Sequence, residues 1–415
     1  MKRNTTMAAK IGVGVTLLVM ALAGTAPGQT GGFVSVRGPE IVAPDGTPLL
    51  LRGINLGNWL VPEGYMFKFE SATSPRMIND VIAELIGEDA AEDFWNEYRD
   101  AYITRDDIRY IRELGLNSVR IPFHWKLFSV RDSDGVLEGP GVRLMDRVIR
   151  WCRDEHLWAI LDMHCAPGGQ TGDNIDDSRG YPFLFESPRS QERVTKLWTA
   201  IAARYRNEPT VIGYDLLNEP IATYFDSTAL NPLLEPVYRR ITAGIRSVDT
   251  NHLVFLGGAQ WDGNFRVFGP PFDSKLVYTF HRYWCDTTQA MIREFVDFRT
   301  RYNVPLWMGE SGENTDAWID AWRRLQERND IGWCFWPYKK MDASRNLVTF
   351  PRPEGWDVLV KYANSNRSSY AGIRSARPDA TVVREALRQF LQLCRFSSCR
   401  LNPGYARSLG LSVPR

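Results

Sequence analysis

Eight short stretches of the chain are apolar almost without interruption, and most are followed by a loop and then by residues whose apolar positions recur every three or four. The runs are LLLRGINLG (49–57), NSVRIPF (117–123), WAILDMHC (158–165), VIGYDLLNEP (211–220), HLVFLGGA (252–259), KLVYTFHRY (275–283), VPLWMGESG (304–312) and IGWCFWPY (331–338). Near-continuous rather than alternating apolarity is what strands covered on both faces require, so the pattern predicts a parallel sheet sheathed in helices. Helix starts are written between the runs. Ser74-Pro75 opens MINDVIAELIG, and Thr104 with Asp107 makes a capping-box-like start before Ile108, Ile111 and Leu114, closed by Gly115. Asp379 precedes Val383, Leu387, Phe390, Leu391 and Cys394, which share one helical face. Eight strand-plus-helix units predict an α/β fold, a (β/α)8 TIM barrel with insertions, as a single domain over 33–395 with 396–415 as a C-terminal tail. A doubly wound sheet is the competing architecture, but no GxGxxG or phosphate loop follows the first run. The pieces FVSVRG and IVAPDGTPL ahead of it predict a small hairpin around Asp45-Gly46 that closes the barrel floor.

The first residues follow another pattern. Lys2, Arg3 and Lys10 precede the apolar run IGVGVTLLVMALAG, which is short for a bilayer span, and Ala21-Leu22-Ala23 fits a small-x-small cleavage site. Residues 1–23 therefore read as a secretory signal peptide, with an uncleaved N-terminal anchor as the alternative, and the mature chain is expected outside the cytoplasm, periplasmic or extracellular. After cleavage no later segment is apolar enough to hold it in a membrane.

With 50 basic and 49 acidic residues among 415, the formal net charge is +1. No field of one sign is available to gather nucleic acid or an anionic surface, so a neutral partner is the default. Aromatics make up 12% of the chain, with 14 Trp and 16 Tyr. Such flat rings with a polar handle suit the faces of sugars as well as the core. Of the six cysteines, Cys394 and Cys399 are spaced to close a small loop in an oxidising compartment; Cys152, Cys165, Cys285 and Cys334 read as small buried hydrophobes.

The apolar runs carry their polar residues at their C-terminal ends: Arg120, Asp162 and His164, Asn218 and Glu219, His281 and Tyr283, Glu310, and Trp336. In a parallel barrel these ends open on one face, where barrel enzymes keep their active sites. Glu219 and Glu310 stand out, because two carboxylates across a cleft are the equipment for breaking a glycosidic bond. Other chemistries lack parts. There is no HExxH and no GxSxG elbow, and one His beside one Asp is a weak metal signal, so neither a metal nor an organic cofactor is expected.

With those positions placed, the chain resembles the cellulase-fold glycoside hydrolases of family 5 over roughly 35–365. The family's pattern appears as Arg120, His164, Asn218-Glu219, His281 and Tyr283, Glu310, and Trp336. The resemblance implies a retaining double displacement, with Glu219 as general acid/base and Glu310 as nucleophile. It implies that Arg120, His164, Asn218, His281, Tyr283 and Trp336 bind substrate or support the pair. GINLGNWLVPE further resembles the opening of the exo-β-1,3-glucanase branch, whose Glu, here Glu63, grips the terminal sugar. LDMHCAPGGQTGDN resembles that branch's HxAPGxQxGxDN loop, departing at Cys165 and in the spacing before Asp173-Asn174. The insertion from Tyr65 to Tyr102 is expected to wall off one end of the cleft, and Trp59, Trp125, Trp261 and Trp284 are candidate sugar platforms. The expectation is a secreted, monomeric β-glycosidase that cuts a β-linked oligo- or polysaccharide, β-glucan or β-glucoside, from its non-reducing end. An endo-β-1,4-glucanase or β-mannanase, and a non-catalytic carbohydrate-binding barrel, are the alternatives.

Overall fold

In the computed structural model, residues 32–413 are described; the expected signal peptide at 1–23 lies outside them. The eight apolar runs form eight parallel strands: β1 (Arg52–Asn55), β2 (Ser118–His124), β3 (Trp158–Cys165), β4 (Val211–Asp215), β5 (Leu253–Gly257), β6 (Leu276–His281), β7 (Leu306–Glu310) and β8 (Gly332–Phe335). They pair in chain order, and β8 pairs with β1 to close the barrel. Closure leaves no open edge, and it aims every strand's C-terminal end at the same mouth.

Side chains alternate between two separate apolar cores. Inside the barrel, Leu51, Trp158, Ile160, Ile212, Phe255, Val277 and Trp307 pack as one cluster, joined by Val34 and Ile41 of the N-terminal hairpin. The hairpin thus plugs the floor of the barrel as expected, but its turn is elsewhere. Ser35–Arg37 pairs with Glu40–Val42 across Gly38-Pro39, and Gly38 takes the positive φ of 56° that so tight a connection needs. Asp45-Gly46 forms a second turn beyond it, where the Asp45 carboxylate accepts from the Thr47 backbone N–H at 2.9 Å.

The expected caps are formed. Ser74 accepts from Met77 N–H ahead of Pro75–Ile86, Thr104 and Asp107 make the reciprocal capping box ahead of Arg105–Glu113, and Asp379 caps Ala380–Leu393. One expected unit is incomplete. Between β5 and β6 no regular α-helix forms: the single turn at Ala259–Asp262 has non-helical backbone at Gln260 and Trp261. Phe265 and Phe268, packed against Tyr278, Phe295 and Phe298, cover that side of the barrel instead.

The insertion after β1 supplies two helices, Pro75–Ile86 and Glu88–Ala101. Phe94 and Tyr98 of the second meet Phe390 of Ala380–Leu393 at 6.4 and 5.9 Å, where Phe67, ahead of the two helices, and Trp356 also stack on Phe390 at 5.4 and 4.9 Å. The segment set apart as a C-terminal tail is also packed. Leu401 pairs with Val348, and Arg323 Nε donates to Ser408 O at 3.1 Å. Among the described residues no helix is long and apolar enough to cross a membrane.

Candidate active site

The polar strand ends converge at the barrel mouth around one guanidinium. Arg120, in mid-β2, is fully buried. Its Nε donates to Asp215 Oδ2 at 2.8 Å, one terminal nitrogen to Glu310 Oε1 at 2.5 Å and to Asn55 Oδ1 at 3.1 Å, and the other to Asn218 Oδ1 at 2.9 Å. Asp162 Oδ1 stands 3.1 Å from that last nitrogen. One cation faces three carboxylates, so burial wins over pairing at the two aspartates: Asp162 and Asp215 are each pushed up to about 7, with Arg120 pulling the other way. Asp162, His164 and Glu310 bring donor atoms within 4.8 Å of one another, but Arg120 already occupies both carboxylates with its positive charge.

Glu310 closes β7, its second oxygen accepting from Tyr283 O–H at 3.0 Å. With an arginine and a phenol bound to it, the carboxylate is oriented and charge-balanced. Glu219 stands in a different environment. β4 ends at Asp215, so Asn218 and Glu219 lie beyond the strand rather than on it, which corrects the longer strand expected at 211–220. The chain keeps strand-like contact as far as Asn218, whose N–H reaches Met163 O at 3.3 Å. It then turns through left-handed backbone at Glu219 (φ 46°) and Ile221 (φ 56°). Gln170 secures the turn, donating to both His164 O and Asn218 O at 2.8 Å.

The Glu219 carboxylate meets His281 Nδ1 at 3.0 Å, and burial raises it to about 7, with His164 and Arg120 opposing. An oxygen of Glu219, an oxygen of Glu310 and a nitrogen of His281 all lie within 4.8 Å of one another. That falls short of the wider spacing an inverting mechanism needs to seat its water beside the sugar, and suits direct attack by one of the carboxyls. Both mouth imidazoles are held neutral by burial, His164 lowered to about 4 and His281 to about 3. His164 Nδ1 is 2.8 Å from Asp162 Oδ2, and its ring stacks on Trp336 at 5.5 Å.

These groups line a cleft of about 720 Å³. One wall of the cleft is a cluster in which Trp336 Nε1 donates to the Tyr65 hydroxyl oxygen at 2.9 Å, Lys340 sits 4.3 Å over the Tyr65 ring, and Lys340 pairs with Glu313 at 2.5 Å. Glu63 lies against this wall, 5% exposed, with Oε1 unpartnered. Burial holds its carboxyl well above the usual range, and the charges of Glu310, Glu313 and Glu219 add to the effect. Trp261 and Trp284 line the cleft, and Trp284 is 71% exposed. Trp59 does not: it is buried, its indole N–H bonded to Arg99 O at 2.8 Å, because the insertion helix folds over it. Trp125 lines a separate groove, under Arg193. Trp336 itself rests against Gly57, where a Cβ would stand 2.6 Å from the indole. Gly57→Ala is expected to displace that ring, lower kcat/KM about tenfold or more and cost about 1–3 kcal/mol of stability, read by kinetics beside a melting curve.

The candidate catalytic and substrate-binding residues named from the sequence come together at this mouth, whereas two of the four tryptophans named as platforms, Trp59 and Trp125, do not. Asn55, Asp215, Asp262, Glu313 and Lys340 do so as well and were not foreseen. Asp215 was legible as a charged residue inside an apolar run; Asn55 ends a strand, Asp262 and Glu313 sit in connections, and Lys340 lies in the three-residue strand Lys339–Met341, too short to carry a periodic signal. All six cysteines are free, Cys394 and Cys399 among them.

The sequence matches the cellulase family, described as glycosyl hydrolase family 5, over residues 83–342. It is 32% identical to a β-xylosidase of Phanerodontia chrysosporium over 82% of this chain and 70% of that protein. It is 28% identical to endoglucanase C of Acetivibrio thermocellus, over 60% of this chain and 88% of that protein. With a probable glucan 1,3-β-glucosidase A of Aspergillus fumigatus it shares 29% identity over 52% of each chain. Among solved structures, an endogalactoceramidase has the same fold (TM-score 0.59, 18% identity, 91% of this chain and 84% of that one). So does a rutinosidase from Aspergillus niger (TM-score 0.56, 18% identity, 70% and 90%).

Proposed function

Because the chain belongs to the cellulase family, glycosyl hydrolase family 5, and is a retaining glycosidase, we propose that it removes sugars from the non-reducing end of β-glucans or β-glucosides, with Glu310 as nucleophile and Glu219 as acid/base. The observation that carries this reading is the pair itself: two carboxyls within 4.8 Å, one tied to Arg120 and Tyr283, the other raised to about 7 by burial. Glu310 attacks the anomeric carbon while Glu219 gives its proton to the leaving oxygen. Glu219 then takes a proton from water as the water displaces Glu310. Asn218 is at hand for the sugar 2-hydroxyl, Trp336 for the ring face, and His164 and His281 for the hydroxyl network.

Exo action is favoured by the Tyr65–Trp336–Lys340–Glu313 wall of the cleft, whose linked side chains stand beside the buried carboxyl of Glu63. The chain acts as a secreted monomer once residues 1–23 are removed, without nucleic acid or membrane as partner. An endo mode is the second reading, favoured by the relative named endoglucanase C. Product analysis over a panel of β-glucans, a β-mannan, a xylo-oligosaccharide and aryl β-glycosides separates them: monosaccharide from the first minutes supports exo action, and a ladder of oligomers overturns it. Glu219→Ala is expected to lose about 10²–10³-fold on substrates with poor leaving groups. It should lose far less on dinitrophenyl glycosides, and azide should restore turnover of the latter as a glycosyl azide.

A further inference from the structure

Behind the cleft lies a carboxyl that the double displacement does not use. Asp262 is fully buried in the connection after β5, and its Oδ2 accepts from the Glu219 backbone N–H at 3.2 Å. The same oxygen is 3.3 Å from Nε2 of His281, close but off-axis for a hydrogen bond, and that buried nitrogen has no hydrogen-bond partner. The opposite nitrogen of that imidazole, Nδ1, is 3.0 Å from Glu219 Oε1. The imidazole therefore stands between two carboxyls, one reaching the cleft and one sealed from it.

The chain is bent sharply to put Asp262 there. Gln260, Trp261 and Asp262 are consecutive non-glycine residues with φ of 53°, 62° and 58°. Left-handed backbone at three such residues costs on the order of 1 kcal/mol or more each and persists only where the surroundings over-determine it. β5 makes the space by ending on Gly257, where a Cβ would fall 1.9 Å from Asp262 Oδ1. A carboxyl needed merely to receive one backbone N–H would not require this arrangement.

We propose that Asp262 is a positioning residue for the reaction: through His281 it holds the negative charge of a two-carboxyl pair whose other member, Glu219, keeps the proton. The proposal rests on Glu219 being the acid/base. With Asp262 ionised, His281 donates Nε2–H to it and presents a bare Nδ1, which only a protonated Glu219 can satisfy. When Glu219 gives its proton to the leaving oxygen, its O–H bond breaks and the sugar-oxygen O–H bond forms. The proton taken from water in the second step restores Glu219, while His281 and Asp262 end as they began. Contacts of this kind are commonly long or off-axis in an unliganded site and tighten with substrate.

Burial raises Glu219 to about 7, and raises Asp262 well above the usual carboxyl range with the charges of Asp215 and Glu219 adding to it and Arg120 opposing, so the pair retains a proton where two exposed carboxyls would retain none, and the tautomer of His281 decides which of the two holds it. Glu219 also faces His164, Arg120, Glu310 and Glu63. Asp262 faces Asp215, Arg120 and the Tyr238 phenol.

Asp262→Asn is the decisive variant. The Glu219 N–H requires an acceptor, so the amide oxygen takes the Oδ2 position, both contacts survive, and only the charge is lost. Removing an anion lowers the pKa of Glu219, so the basic limb of kcat/KM is expected to move to lower pH by about one unit. Above the limb that is a tenfold loss on alkyl or oligosaccharide glycosides, with dinitrophenyl glycosides, which need no acid, changed less than about twofold. An unmoved limb, or equal losses on both substrate types, overturns the proposal. Should the variant not fold, ¹⁵N spectra of the wild type decide, since the chain has only 5 histidines. Below the limb, His281 hydrogen on Nε2 supports the proposal, and hydrogen on Nδ1 overturns it by making Asp262 the protonated partner. If Glu219 were not the acid/base, Glu219→Ala would itself lack leaving-group dependence. A normal Glu219→Ala result beside an unmoved Asp262→Asn limb isolates the failure to Asp262.

Discussion

Glu310→Gln is expected to lower kcat by about four orders of magnitude or more without unfolding the protein. The substitution is isosteric, and its neighbours can be satisfied: the amide oxygen still accepts from Arg120, and Arg120 keeps Asp162 and Asp215. What is lost is the electron pair that attacks the anomeric carbon. An amide is a poor nucleophile, and the cluster loses the anion that stabilises the developing oxocarbenium charge. Azide should not rescue this variant on a substrate with the normal anomeric configuration as it rescues Glu219→Ala. Incubation with a 2-deoxy-2-fluoro β-glycoside bearing a good leaving group, followed by intact-mass measurement, reads the step directly. Wild type should gain one sugar and Glu310→Gln none. Near-wild-type turnover by the variant would assign the nucleophile elsewhere.

The barrel was legible because its strands are apolar on both faces, a pattern that loops and amphipathic helices do not imitate. The reacting pair was legible for the converse reason: a charged residue at the end of an apolar run is costly to bury and so marks a task. That logic found Arg120, His281 and Glu310. It placed Glu219 correctly in the mouth while misjudging the backbone, since β4 stops at Asp215 and the left-handed turn that presents Glu219 leaves no mark in hydropathy. It could not see Asp262, Glu313 or Lys340, which lie in connections where polar residues are ordinary. Their neighbours are brought together by the closure of the barrel: His281, at the end of β6, contacts both Glu219 and Asp262, which lie on two different connections. Trp59 shows the opposite error. A tryptophan after a strand reads as a platform until the insertion helices are seen to cover it.

Arg120→Met is expected to cost about 3–5 kcal/mol of stability and to abolish activity, because it breaks a buried ion cluster rather than replacing it. Arg120 is the shared partner of Asp162, Asp215 and Glu310, all of them buried. Methionine fills much of the volume but leaves those carboxyls facing one another without a cation. The loss should depend on pH in a definite direction. Asp162 and Asp215 already sit at about 7 against an unfolded value near 3.9, and without the guanidinium they rise further. A carboxyl raised in the folded state favours folding where it is protonated and opposes it where it must ionise. The destabilisation is therefore fully felt above the folded pKa and is relieved as pH falls toward the unfolded one. Melting temperatures of Arg120→Met and wild type should differ more at pH 8 than at pH 5. Arg120→Lys should recover part of the stability but little activity, since a point charge cannot hold Asp215, Asn218 and Glu310 at once as the planar fork does. An equal melting deficit at both pH values would mean that packing, not unpaired charge, is what Arg120 contributes.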